Sequence, residues 1–208
     1  TPRVRGELER LLAWHRRTEL AQWITLLQKA QALAPHDSTP AQACEFGEAM
    51  RLRLLAVAEQ AEPAGAALAL TFTRAQLDHL EKKYARKNED YRSDWLDKSP
   101  VEQQDKRYEQ WLDRSEDFYG SLDERQKKAL RQMVAESVFS PALFDAERKR
   151  RQAVALSTLR ALTAEPGVPA SEARRALHAY VQTIAEAPPG RWREQQQALW
   201  QESCRNFA

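Results

Sequence analysis

Glycine is scarce, six in 208 residues, and runs of β-branched residues are nearly absent. A sheet built from tight hairpins is thereby excluded, because such turns lean on glycine and strands favour Val, Ile and Thr. No apolar run approaches the roughly 18 residues that a membrane-spanning helix needs. Neither sign of charge prevails: 32 Lys and Arg face 30 Asp and Glu, a net of +2. That balance gives no strong pull toward nucleic acid, and none is expected as a partner. Two cysteines, Cys44 and Cys204, leave no Cys-x-x-Cys pair. A Gly-rich phosphate loop, a Gly-x-Ser-x-Gly elbow and a zinc-protease His pair are also missing. No catalytic residue, metal ligand or cofactor is assigned.

What remains is rich in Ala, Leu, Gln, Glu, Arg and Lys, the good helix formers. Hydrophobic residues make up 42% and charged residues 30% of the chain, so a core must be spread along thin stripes. The stretch Phe72 to Trp95 is the organising element. Thr73 and Gln76 form a capping box, Phe72 and Leu77 a hydrophobic staple, and Leu77, Leu80, Tyr84, Tyr91 and Trp95 recur at helical spacing.

Before it, residues 4–34 read as one helix with Leu8, Leu11, Leu12, His15, Trp23, Ile24, Leu27 and Ala30 on one face. Thr39, Pro40 and Gln42 then cap a helix expected to stop before Glu62-Pro63. After it, Ser99-Pro100-Val101-Glu102 opens a helix that Gly120 closes. Asp123 with Gln126 caps one reaching Phe139, Ser140-Pro141 starts another, and Glu165-Pro166-Gly167-Val168-Pro169 is the clearest break. Two short helices follow, Ser171 to about Ala187 and Gly190 to the end. The fold class is all-α: an elongated bundle of about seven to nine long antiparallel helices, with a main domain over 1–165 and a C-terminal helical hairpin over 166–208 packing on it.

Several clusters are weighed for chemistry. His15 and Glu19 lie four apart on one helix and can touch, so a metal-dependent or acid/base enzyme centred on them is one reading; a helix-packing contact is the other. His79 reads as a solvated position. Asn88, Glu89, Asp90 and Tyr91 form a polar patch in mid-helix, where Asn and Asp are poor choices. They suggest interhelical hydrogen bonds or a recognition surface. Arg107, Trp111 and Arg114 share a face on the next helix and are candidate partners for Glu89 or Asp90 across an antiparallel hairpin. The basic run 148–151 reads as a solvated face or as a binder of anionic lipid or nucleic acid. Trp192 and Trp200 either anchor the C-terminal segment or mark a binding surface. Cys44 and Cys204 either form one disulfide, in an oxidising compartment, or stay thiols.

Two resemblances arise from these residues. The fragment Leu11 to Leu20, taken with Gln76-Leu77-Asp78-His79-Leu80, Asn88 to Tyr91 and the turn Gly120-x-Leu122-x-x-x-Gln126, resembles an uncharacterised proteobacterial family of predicted lipoproteins, a domain of unknown function, over roughly residues 8–160. The resemblance implies an all-helical periplasmic protein held to a membrane by an N-terminal lipid, through a leader absent from this sequence, which starts at Thr1. The segments Phe72-Thr73-Arg74-Ala75-Gln76 and Leu122-Asp123-Glu124-Arg125-Gln126 are similar to the repeated motif of Spy/CpxP-type periplasmic proteins. On this reading the protein is a non-enzymatic interaction or chaperone-like module of the cell envelope, with a protein or envelope component as partner. Its candidate surface comprises Trp14, His15, Arg16, Glu19, Asn88, Glu89, Asp90, Tyr91, Trp111 and Arg114.

Overall fold

The computed structural model describes residues 2–33 and 35–207, without the side chain of Arg3. Thr1, Ala34 and Ala208, each inside a span read from sequence, lie outside the described residues. Among the described residues there are eight helices and no strand. The fold is an all-α helical bundle.

Helix α1 runs through Pro2–Trp14, a π turn at His15–Glu19, and Leu20–Leu33. α2 is Pro40–Ala69, and α3 is Arg74–Tyr91 extended by a second π turn, Arg92–Leu96. α4 (Pro100–Tyr119), α5 (Glu124–Ala135), α6 (Pro141–Thr163), α7 (Ala170–Ala185) and α8 (Arg191–Asn206) complete the chain. Four N-termini carry full capping boxes: Thr39 with Gln42, Thr73 with Gln76, Ser99 with Glu102, and Asp123 with Gln126. Each box satisfies two amide donors that the first helical turn would otherwise leave unpaired.

α2 is the central rod. α1 lies along one side of it, α7 and α8 along others, and α6 connects this group to α3. The core is made of small residues: Ala66 and Ala69 of α2, Leu162 of α6 and Ala173 of α7 are buried together. Alanine lets the helix axes approach closely, and Gly65 has Leu177 within 3.2 Å of where a Cβ would stand. This packing explains why α2 does not stop before Pro63. A proline inside a helix costs about 3 kcal/mol. Burial of Ala64, Ala66, Ala67 and Ala69 just beyond it favours continuing the helix.

Two further expectations are corrected. α5 ends at Ala135 rather than Phe139, because α8 captures the next residues: Glu202 accepts from the Ser137 hydroxyl at 2.6 Å and from the Val138 amide at 2.7 Å, and Gln195 donates to the Val138 carbonyl. α4 does not lie back along α3; its backbone neighbour is α5, with Arg131 stacked 3.8 Å from the Tyr108 ring.

Candidate functional site

The π turn in α1 decides which residues that helix buries. A π turn takes up one residue more than an α turn, which rotates everything beyond it by roughly 100°. The inward seam therefore reads Leu11, Trp14, Glu19, Trp23, Leu26, Ala30 and Leu33, all buried or half-buried. The face expected from sequence splits accordingly: Leu8, Leu12, Ile24 and Leu27 are exposed, while Leu11, Trp23 and Ala30 turn inward. Glu19 is 1% exposed and has Arg53 of α2 as its ion partner, at 3.7 Å. Among the described residues its other oxygen has no hydrogen-bond partner. His15 is half-buried, and no hydrogen bond or ion pair joins it to Glu19 among the described residues. Trp14 is half-buried and Arg16 exposed.

The polar patch on α3 is divided by the same logic. Asn88 faces α6 and donates to Gln152 at 2.9 Å. Tyr91 donates to the Pro141 carbonyl and lies under the Arg148 guanidinium, 4.3 Å from its ring centroid. Burial pushes the Tyr91 phenol up to about 12. Glu89 and Asp90 are exposed and pair within their own helix, with Arg92 and Lys87, so the expected partnership with Arg107 or Arg114 is not formed. Arg107 stacks instead over Phe139 at 4.4 Å, and burial lowers its pKa. Arg114 is exposed, and Trp111 meets Phe207 with ring centroids 6.3 Å apart.

The basic run is spoken for. Arg148 and Lys149 hold Asp145, and Arg150 and Arg151 hold Glu147, at 2.6–2.9 Å. Both carboxylates are buried. Burial alone would raise their pKa values, but the hydrogen bonds from Lys149 and Arg148, and from Arg150 and Arg151, outweigh it and hold both below the ordinary range. Arg150 also donates to the Thr183 carbonyl of α7, so the run ties two helices together.

The ten predicted surface residues thus fall into separate places. An apolar concavity elsewhere on the molecule is lined by other residues. A cleft of about 590 Å³ lies where the end of α1, the start of α2, the tip of α4 and the end of α8 converge. Leu33, Phe46, Met50, Tyr119, Trp200 and Phe207 line it, with Gln42 and His36 among its polar groups. Gly47 makes its wall possible: a Cβ there would stand 2.8 Å from the Trp200 ring. Beneath it, a disulfide joins Cys44 of α2 to Cys204 of α8, Cα atoms 5.0 Å apart. At its mouth Tyr119 is 82% exposed and Phe207 is exposed too, and Phe118, exposed by 87%, has its ring centroid 6.5 Å from that of Tyr119. Of the predicted residues, Trp111 touches this region, through Phe207.

A cleft of this size, apolar with a few polar groups, is suited to holding a ligand or side chain. Among the described residues no cluster of three or more His, Cys, Asp or Glu is placed to hold a metal ion. Sequence reading passed over the cleft because its lining comes from four distant segments. The signal was Phe118-Tyr119 before Gly120, two adjacent large aromatics at a helix end that cannot both face the same core.

No curated protein and no solved structure matches the chain. The chain belongs to a family of unknown function (DUF6279), whose model matches residues 3–168, that is, α1 through α6 and the start of the following connection.

Proposed function

We propose that this protein is a non-enzymatic interaction module, chaperone-like in mode, that holds apolar side chains of a protein partner in the cleft between α2 and α8. The observation that carries the reading is the group of exposed aromatics, Tyr119, Trp200 and Phe207, that lines an apolar concavity. Large aromatics left in water beside an apolar hollow mark binding surfaces, and they supply contact area at low entropic cost.

The setting proposed is the periplasm, with a lipid anchor ahead of residue 1. The Cys44–Cys204 disulfide supports an oxidising compartment. The anchor rests on the resemblance to predicted lipoproteins. The Spy/CpxP-like motif supports the chaperone-like mode only as far as its capping boxes, which helix N-termini use widely.

A light-scattering assay with an unfolded client protein tests the reading. The purified protein is expected to suppress client aggregation, and Tyr119→Asp with Trp200→Asp to weaken that suppression at least fivefold while leaving the helical circular dichroism intact. Equal suppression by the double variant, or none by either protein, counts against the proposal.

A further inference from the structure

The π turn has a second effect on α1, on the side away from α2. In an unbroken α-helix Leu20 would stand roughly 80° around the axis from Leu12; with one residue absorbed in the π turn, the two come within roughly 20°. Leu8, Leu12, Leu20, Ile24 and Leu27 therefore share one face of α1, with Arg16 between Leu12 and Leu20, and all five are exposed, Leu12 by 56% and Leu27 by 63%. Such a stripe is a coherent surface rather than scattered leucines.

The charge of the same helix is one-sided. Residues 2–33 hold six of the Lys and Arg and three Glu, whereas the rest of the chain holds 26 basic and 27 acidic residues. Of the three Glu, Glu19 is buried against Arg53 and Glu7 is paired with Arg10, leaving Glu9 as the exposed acid. Arg5, Arg16, Arg17 and Lys29 are exposed, and among the described residues none of them has a carboxylate partner. The helix that carries the open stripe thus holds a net +3, six basic residues against three acidic. Each cation of the run at 148–151, the most basic stretch by sequence, is paired with a buried carboxylate of its own helix.

We infer that α1 docks on an anionic lipid bilayer, its leucines entering the acyl boundary and its arginines meeting headgroup phosphates. The combination of an apolar stripe with a basic flank is what an interfacial helix needs. The stripe lies on one helix rather than in a hollow, which fits a membrane plane better than a side-chain pocket. A second copy of the chain is disfavoured, because a symmetric contact would bring two basic helices together.

The test uses the full chain with two vesicle types, phosphatidylcholine alone and phosphatidylcholine with phosphatidylglycerol, read by co-sedimentation. Binding is expected to the anionic vesicles, at least tenfold stronger than to the neutral ones, and to fall in high salt. Leu20→Asp with Ile24→Asp is expected to reduce it at least tenfold. Arg5→Glu with Arg16→Glu, which touches no packing residue, gives an independent reading and is expected to do the same. Lys82→Glu with Lys83→Glu on α3, and Tyr119→Asp in the cleft, are expected to leave it unchanged. Equal binding to both vesicle types, no binding to either, retention by either α1 variant, or a dimer in light scattering that Leu20→Asp dissociates would each overturn the inference.

Discussion

Glu147 shows what a single residue contributes here. Two guanidinium groups of its own helix hold the carboxylate, and one of them reaches across to α7. Glu147→Gln is expected to cost about 2 kcal/mol at neutral pH, the range for charge-assisted bonds to a buried group. The pH dependence follows from the sign. Asp145 and Glu147 have pKa values depressed by folding, so their contribution is full above the unfolded carboxylate range and is lost as pH falls through the depressed values. Chemical denaturation should show stability level from pH 7 to about 5 and declining below about 4.5, with a shallower decline in Glu147→Gln. A steeper acid loss in the variant would show that other groups govern the acid limb. At this scale the sequence was informative wherever chemistry is local. All four capping boxes were legible, because the partners stand three residues apart. The burial of Glu19 was not, because it depends on a change of helical register that no side chain announces.

At the scale of the element, the π turn of α1 and the proline of α2 mark the limits of pattern reading. Counting by 3.6 merges two faces of α1 that the structure keeps apart. Likewise, Pro63 reads as a stop until the alanines beyond it are seen against α7. The account of α1 predicts an asymmetry between deletions. Removing exposed Thr18 takes out the extra residue and leaves both halves in register, so the melting temperature should move by no more than about 3 °C, equivalent to roughly 1 kcal/mol. Removing exposed Gln28 leaves part of the helix out of register on one side or the other, displacing groups such as Ala30 and Leu33, and should lower it by roughly 5 °C or more. Equal effects would mean that the π turn does not set the register. The seam of α3 was legible because its period is regular: Leu77, Leu80, Tyr84, Tyr91 and Trp95 all turn inward, and Asn88 of the polar patch joins them by donating to Gln152.

At the scale of the whole molecule, the Cys44–Cys204 bond joins residues 160 apart and fastens α8 beside the start of α2. Closing so long a loop in the unfolded chain is worth about 2–5 kcal/mol. Reduction, or Cys44→Ser with Cys204→Ser, is expected to lower the melting temperature by roughly 5–15 °C and to loosen the cleft, because Cys204 is part of its lining. An unchanged melting curve would show that packing alone holds α8. The all-α class was legible because composition, caps and breaks agree. The cleft was not, since helix order in space brings residues 33, 46, 119, 200 and 207 together and no local signal encodes that order. On the proposed function, this aromatic-rimmed cleft is where a protein partner is held. Photo-crosslinking in cells tests it most directly, with benzoylphenylalanine replacing Tyr119 or, as a control on the far helix α3, Lys83. A discrete adduct is expected from position 119 that Trp200→Asp abolishes, and none from position 83; no adduct at 119, or the same adducts from both positions, would rule out the cleft as the binding site.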